Sequence, residues 1–179
     1  RGGSDENCLY VRKGRQLMHM AAWHDPNTMA TVGRVQTELT KFRDQLTELR
    51  VDSVGLGGGV ADRLRELRYP VRDIEAGAQS SNPGEYMNLR AEMFWQLRTL
   101  LETEQVGRLL DDKTQSQLCT IEWEVQSDKR IKIVSKEEMK RKGLTSPDRA
   151  DALAMCLLPA GPGGTGEAYQ TASRWSGSQ

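Results

Sequence analysis

The sequence has few aromatic residues, few cysteines and no long apolar run. Aromatic residues make up 6% of the 179 positions. No segment approaches the roughly 18 consecutive apolar residues that a membrane-spanning helix needs, so we expect no membrane helix. The three cysteines, Cys8, Cys119 and Cys156, are an odd number and lie far apart. They fit neither a disulfide framework nor a zinc site, and this pattern is typical of a reducing compartment.

The chain also has no excess of either charge. Lys and Arg together number 25, as do Asp and Glu, so the formal net charge is zero. At the level of the whole chain this excludes a strongly basic nucleic-acid-binding module. Hydrophobic residues make up 37% of the sequence, which is enough for a core, and the length fits one ordinary domain.

Hydrophobic periodicity predicts a chain that alternates between strands and helices. Two strands come first, and an amphipathic helix follows with apolar residues at every third or fourth position up to Leu49. The later predicted segments are strands at Arg50–Val54 and Val71–Ile74, a helix between them, a long helix that opens at Asn82-Pro83, a hairpin of Cys119–Val125 and Arg130–Val134, a short helix after a capping box at Ser135–Glu138, and a last helix at Asp148–Leu158. This order predicts an α/β fold, with a mixed central sheet and helices on both faces.

The segment 159–179 differs in composition from the rest of the chain. It is rich in Gly, Ser, Thr and Pro and has almost no aliphatic residues, so it cannot bury enough apolar surface to order itself. We therefore predict one domain over residues 1–158 and a flexible C-terminal tail over 159–179. Tyr169 and Trp175 leave open a second interpretation, in which the tail is a docking segment with an aromatic anchor.

The first candidate site is Asp52, at the end of a predicted strand and before the glycine-rich turn Gly55–Gly59. Ligands of open α/β sheets bind at the carboxyl ends of strands, and a helix N-terminus favours anions. The turn lacks the Gly-Lys-Ser/Thr of a phosphate-binding loop, and Val60 stands where a dinucleotide-binding motif needs its third glycine. The alternative is a purely structural turn, with Asp52 capping the helix.

The second candidate site consists of Asp148 and Asp151, three residues apart near the start of the last predicted helix. Asp148 suits the first turn of a helix because it complements the helix dipole. Asp151 lies in an otherwise apolar segment, where a carboxylate needs a partner. That partner could be a metal ion, or in the structural alternative Arg149 or a more distant arginine.

Two carboxylate sites at one end of a sheet favour a hard divalent cation such as Mg²⁺, and the reaction that fits is phosphodiester hydrolysis with two metal ions. A basic segment could contact the phosphates of the substrate. Its alternative interpretation is a solvated helix face. The candidate phosphate-binding residues are Lys129, Arg130, Lys132, Lys136, Lys140 and Arg141.

Four blocks of the sequence resemble the C-terminal nuclease domain of the large terminase subunits of tailed bacteriophages, which are DNA-packaging motor proteins. The blocks are VDSVGLGGGVADRLREL, EYMNLRAEMFWQLR, IVSKEEMKRKG and SPDRADALAM, in the family's order. The resemblance implies an RNase H-like fold over 1–158, with the second hairpin as an insertion. It also implies that Asp52 and Asp151 are metal ligands and that Asp148 corresponds to an additional acid found in related resolvases.

The same resemblance implies an endonuclease that uses two Mg²⁺ or Mn²⁺ ions to cut concatemeric double-stranded DNA. The implied partners are DNA, the terminase ATPase domain, the small terminase subunit and the portal protein, in the cytoplasm of the infected host and transiently at the procapsid portal. No membrane partner is implied.

The family's first catalytic Asp lies on a strand that precedes a glycine-rich turn, and Arg1–Glu6 resembles that turn. We therefore expect the first strand to be missing from this chain, with weak metal affinity and little or no cleavage. The alternative function is a non-catalytic RNase H-like module that docks on DNA or the portal. A nucleotide-binding domain at Gly55–Gly59 is a third hypothesis.

Overall fold

The structure is a computed structural model and describes residues 6–109, 111–159 and 169–174. The strands and helices alternate as the sequence predicts. In chain order they are β1 (Asn7–Lys13), β2 (Gln16–Trp23), α1 (Thr28–Leu39), a 3₁₀ helix (Thr40–Gln45), β3 (Leu46–Asp52), α2 (Leu56–Glu66), β4 (Val71–Ile74), α3 (Leu89–Glu102), α4 (Asp112–Cys119), β5 (Trp123–Val125), β6 (Ile131–Ile133), α5 (Lys136–Arg141), α6 (Asp148–Leu157) and β7 (Tyr169–Arg174). Among the described residues, no helix is long and apolar enough to cross a membrane.

Within the described part of the chain, five strands form one mixed sheet in the order β2-β1-β7-β3-β4. Strand β1 is antiparallel to both of its neighbours, β2 and β7. Strand β3 is parallel to both of its neighbours, β4 and β7. Strands β5 and β6 form a separate antiparallel hairpin. The predicted α/β class with a mixed sheet is therefore confirmed.

Both faces of the sheet are covered by apolar side chains. Successive residues of β1 alternate between two cores, because neighbouring side chains of a strand point to opposite faces. Cys8 and Tyr10 belong to a core that includes residues of α3 and α6. Leu9 and Val11 belong to a second core that includes residues of α1 and α2. All four residues are fully buried.

Strand β7 corrects the prediction of a flexible tail over 159–179. Tyr169–Arg174 lies at the centre of the sheet, paired with β1 on one side and β3 on the other. The composition argument failed here because it counts apolar burial and ignores two ladders of backbone hydrogen bonds. The remaining tail residues, 160–168 and 175–179, lie outside the described residues, and so does the proposed anchor Trp175.

Three predicted boundaries also need correction. Helix α1 ends at Leu39, and Leu49 lies in β3. Apolar residues continue at similar spacing from the helix into the strand, so their spacing alone does not show where the helix ends. Helix α3 is capped by Asn88, whose side chain accepts a hydrogen bond from the Ala91 N–H, whereas Asn82 opens a turn. Cys119 ends helix α4, which was not predicted, and β5 begins only at Trp123.

Two buried arginines hold the C-terminal end of α6 against the sheet. Arg50 of β3 is fully buried and donates hydrogen bonds to the carbonyl oxygens of Met155, Cys156 and Leu158. Arg12 of β1 donates to the carbonyl oxygens of Cys156 and Leu158. The last carbonyls of a helix have no partner within the helix and carry the negative end of its dipole. The arginines thus fix α6, and with it the carboxylates at its other end.

Candidate active site

Asp52 is the last residue of β3 and lies at the carboxyl end of the sheet. Its Oδ1 accepts a hydrogen bond from the Val54 N–H at 3.3 Å, so its carboxylate stabilises the turn after the strand. Helix α2 then begins behind Gly55, whose φ of +66° is a conformation that glycine adopts without strain. The cap residue of α2 is Gly55 without a side-chain cap, so Asp52 does not cap that helix.

Asp148 and Asp151 both lie in the first turn of α6, and both are buried. Asp148 is held by three donors: Oδ2 accepts from the Glu6 N–H at 2.9 Å, and Oδ1 accepts from the Ser146 hydroxyl at 2.7 Å and from the Lys136 ammonium at 3.2 Å. Asp151 faces two cationic side chains, Lys136 and Arg90.

Lys136 connects the two acids of α6. It is the first residue of α5, and its Nζ lies 2.9 Å from Oδ2 of Asp151 and 3.2 Å from Oδ1 of Asp148. Burial alone would lower the pKa of Lys136, but the two carboxylates outweigh it and the pKa is raised. An ammonium that stays charged therefore occupies the space between the two acids.

Electrostatics place Asp52 in the same cluster. Burial is the main cause that raises the pKa of Asp52 above its ordinary value, and the negative charge of Asp151 raises it further. The Val54 N–H and the positive charge of Lys136 act in the opposite direction. The charges of Lys136 and Asp151 thus act on Asp52, and the role of the three acids predicted from sequence stays a prediction.

Arg90 of α3 fixes Asp151 from the other side. Its Nε lies 3.2 Å from Oδ1 of Asp151, and its Nη1 donates to the carbonyl oxygen of Val134 at 2.9 Å. Lys136 contacts Oδ2, so the two cations hold different oxygens of one carboxylate. The spacing of the sequence does not indicate that Arg90 pairs with Asp151. The pair does agree with the structural alternative for Asp151, in which its partner is a distant arginine. Arg149, the other candidate partner, forms ion pairs with Glu6 and Asp111 instead.

An ion-pair network supports α6 behind the acid cluster. Arg149 contacts both carboxylate oxygens of Glu6 at 3.0 Å and Oδ1 of Asp111 at 2.8 Å. Hydrogen bonding to Arg149 is the main cause that lowers the pKa of Glu6 to about 2. Because the Glu6 N–H also donates to Asp148, the network ties the start of β1 to the start of α6.

The predicted phosphate-binding residues do not form one continuous stripe. Lys136 points into the acid cluster. Arg130 forms an ion pair with Asp128, and Lys132 forms one with Glu124. Three of the predicted residues are exposed, namely Lys129, Lys140 and Arg141. Phosphate binding by these residues stays a prediction.

The buried carboxylates of Asp148 and Asp151 supply oxygen atoms of the kind that bind a divalent cation. Their side chains are arranged as in a site without metal. Within the described residues, no group of three or more His, Cys, Asp and Glu side chains is arranged to hold a metal ion. The carboxylates of Asp148 and Asp151 instead converge on the ammonium of Lys136. Carboxylate oxygens are the ligands that Mg²⁺ and Mn²⁺ prefer.

The fold and the site define a class: α/β proteins with a mixed sheet, a buried pair of acids in the first turn of a helix, and another acid at the end of a strand. Comparison of structures identifies the fold more closely as that of the nuclease domains of phage large terminase subunits. The nuclease domain of gp2 from the bacterial virus Sf6 superposes with a TM-score of 0.72 and 18% identity, covering 89% of this chain and 85% of that one.

A second nuclease domain, from the thermophilic phage G20c with bound cobalt, gives a TM-score of 0.62 at 15% identity and covers 87% of this chain and 75% of that one. A K428A mutant of the Sf6 domain with calcium gives 0.72 at 18% identity, covering 88% and 84%. No protein-family model and no curated protein matches the sequence. The resemblance to terminase nuclease domains is thus confirmed for the fold.

Proposed function

We propose that this chain is a metal-dependent DNA endonuclease domain with an RNase H-like sheet, acting in phage DNA packaging. The observation that carries the proposal is the convergence of Asp148 and Asp151 on Lys136, whose charge together with that of Asp151 also acts on Asp52 at the end of β3. Related folds support it, since solved terminase nuclease domains contain manganese, cobalt, magnesium or calcium. Two ions and double-stranded DNA as the substrate are parts of this proposal.

Asp52 and Asp151 would hold the metal ions, and Asp148 would contribute as a third acid. When bound, such ions polarise a water molecule for attack and stabilise the leaving oxygen of the phosphodiester. Asp148 is already held by the Glu6 N–H and by Ser146, so it positions the start of α6 whether or not it also binds metal.

Lys136 and Arg90 have different roles in this proposal. Lys136 neutralises the acids in the metal-free state and must leave Oδ2 of Asp151 when an ion arrives. Arg90 can stay, because it holds the other oxygen, Oδ1, and is anchored to the Val134 carbonyl. Asp151 would then offer one defined oxygen to the ion.

The exposed cations Lys129, Lys140 and Arg141 would contact DNA phosphates near the site. As partners we propose the terminase ATPase domain, the small terminase subunit and the portal protein, with cleavage in the host cytoplasm at the procapsid portal.

The test combines Mn²⁺ titration by calorimetry with nicking of supercoiled plasmid. We expect weak Mn²⁺ binding and little Mn²⁺-dependent nicking by this chain, and a further loss of both in Asp52→Asn or Asp151→Asn, because each variant removes a proposed ligand. Asp62→Asn, an exposed acid on α2, is the control and should change neither.

Absence of any Mn²⁺ binding by the unmodified chain would overturn the metal site and favour the non-catalytic docking module. Nicking that persists unchanged in Asp52→Asn would place the chemistry elsewhere in the molecule.

A further inference from the structure

The side chain of Arg90 uses two of its three nitrogens in the contacts described above and leaves the third without one. Nε lies 3.2 Å from Oδ1 of Asp151, and Nη1 donates to the carbonyl oxygen of Val134 at 2.9 Å. Nη2 is buried, and among the described residues it has no hydrogen-bond partner. A buried donor that meets no acceptor destabilises a fold, so this unused N–H group requires an explanation.

The planar guanidinium group sets the direction of Nη2. One N–H of Nη2 runs parallel to the N–H of Nε, and this fork lets arginine bind two oxygens side by side. Since Nε faces Oδ1 of Asp151, the parallel N–H of Nη2 points to the same side, towards the acids of α6. Oδ2 of Asp151, which is the usual second acceptor of such a fork, contacts Lys136 instead.

Further contacts restrict the movement of Arg90. Its central carbon Cζ lies 5.0 Å from the centre of the Phe94 ring, one helical turn further along α3. Its backbone N–H donates to the carbonyl oxygen of Ala76 at 2.8 Å, just after β4. The last residue of β4, Ile74, accepts a hydrogen bond from the N–H of Ser53, which directly follows β3. Arg90 is thus fixed at the carboxyl ends of β3 and β4.

We propose that Nη2 of Arg90 binds the phosphodiester of the substrate by donating a hydrogen bond to one of its non-bridging oxygens. A phosphodiester is an anion, and an arginine N–H forms a strong, charge-assisted hydrogen bond with a phosphate oxygen. The anion reaches Nη2 only after a divalent ion has replaced the ammonium of Lys136, because the carboxylates alone repel it. This inference therefore rests on the proposed nuclease function.

The two roles of Arg90, fixing Asp151 and binding phosphate, can be separated by substitution. A lysine has one nitrogen and no fork, so Arg90→Lys keeps a positive charge beside Asp151 and removes the second donor. Arg98→Lys is the matched control, because Arg98 lies on the same helix but is exposed and pairs with Glu102.

The experiment measures the binding of Mn²⁺ and of dimethyl phosphate, a small phosphodiester, so that no cleavage is needed. Calorimetry gives the affinity for Mn²⁺, and the relaxation of the phosphorus NMR signal in the presence of Mn²⁺ gives the affinity for dimethyl phosphate. We expect Arg90→Lys to bind Mn²⁺ as tightly as the native chain does and dimethyl phosphate at least about tenfold more weakly. Arg98→Lys should match the native chain in both affinities.

A second measurement uses the native chain alone, so it does not depend on how a variant folds. In the presence of Mg²⁺, dimethyl phosphate should shift the NMR signal of the Arg90 Nε–H, which shares its guanidinium with Nη2. The signal of the Arg98 Nε–H should stay unchanged.

Native affinity of Arg90→Lys for dimethyl phosphate, or an Arg90 signal that dimethyl phosphate does not shift, would overturn this inference. Arg90 would then only fix Asp151, and the metal site itself would stand wherever Mn²⁺ still binds. If the native chain bound no Mn²⁺, the metal site would fail and this inference would fail with it. The Mn²⁺ titration therefore distinguishes failure of the proposed function from failure of the role of Arg90.

Discussion

Lys136 shows how a single side chain can hold an acidic site together before a ligand arrives. One ammonium lies within hydrogen-bonding distance of two buried carboxylates, those of Asp148 and Asp151. Breaking a buried ion pair from one side leaves an uncompensated charge, which is far more unfavourable than losing a surface pair. A divalent ion in place of the ammonium would compensate the two carboxylate charges with a charge of its own that is twice as large.

Lys136→Met should therefore lower the free energy of unfolding by about 3–5 kcal/mol in the absence of metal. Mn²⁺ should recover part of that loss and bind the variant more tightly than the native chain, because no ammonium competes. Urea unfolding with and without Mn²⁺ measures both effects. Lys140→Met, an exposed lysine on the same helix, should leave both values unchanged. If the Lys136 variant kept native stability and native Mn²⁺ affinity, the competition would be refuted.

Glu6 should give the protein a specific acid sensitivity. Its pKa is lowered in the folded state from 4.5 to about 2, mainly by Arg149. A lowered pKa stabilises the folded state above pH 4.5, and that contribution is lost as the pH falls towards 2. With allowance for solvent screening, the contribution at pH 7 is roughly 2 kcal/mol. Glu6→Gln should remove it and flatten the pH dependence of unfolding between pH 2 and 4.5, which denaturant titrations can measure. An equally steep acid loss in the variant would contradict this assignment.

Sequence reasoning found the acids but not the cations that hold them. Asp52, Asp148 and Asp151 stood out because each is a carboxylate at a strand end or a helix start. Lys136 was grouped with surface lysines, since its neighbours on α5 are mostly charged and its contact with Asp151 spans an intervening loop. Arg90 gave no local signal at all, because its partner lies 61 positions away.

At the scale of elements, helix α6 is fixed at both ends by charged groups. Its first turn carries Asp148 and Asp151, and its last carbonyls accept hydrogen bonds from Arg12 and Arg50. Anions at the start and cations at the end both match the helix dipole. The arginines also connect α6 with β1 and β3. Contacts at the C-terminal end of α6 therefore help to set the position of its N-terminal end, which carries the acids.

Arg50→Met should lower the free energy of unfolding by about 3–5 kcal/mol, because it leaves several buried carbonyls of α6 without their donor and removes one of the two arginines that pair with Glu48. Arg72→Met is the matched control: Arg72 also contacts Glu48 but is partly exposed, so its loss should amount to about 1 kcal/mol or less. Chemical denaturation of both variants measures the difference. Similar small losses of stability in both variants would show that water replaces Arg50 as the hydrogen-bond donor to the α6 carbonyls.

At the scale of the whole molecule, the balanced charge limits how the protein meets DNA. Many of the positive residues form ion pairs, and three of the predicted phosphate-binding residues, Lys129, Lys140 and Arg141, are exposed. We expect weak DNA binding by the isolated chain, with a salt dependence of about three released counterions or fewer. Lys140→Ala with Arg141→Ala should reduce the slope of log K against log salt by about two, as measured by anisotropy with duplex DNA. A tight complex with a slope several times larger would contradict this expectation.

The general architecture was predictable, whereas the centre of the sheet was not. Alternation of strand and helix patterns gave the α/β class, the first hairpin and the capped helix α5. The position of β7 could not be inferred, because Tyr169–Arg174 has a composition typical of linkers and its pairing partners are more than a hundred residues away. A strand held mainly by its neighbours' backbones leaves little trace in hydrophobic periodicity.

The central place of β7 has a consequence for how the protein is made. Cys8 pairs with Arg174, so the two ladders that join the halves of the sheet cannot form until β7 has left the ribosome. Until then β1 and β3 each present an open edge, and such edges attract other chains. Contacts this distant in sequence also form slowly. Ribosome-bound nascent chains that stop before Tyr169 should therefore engage chaperones, and release of β7 should end that dependence.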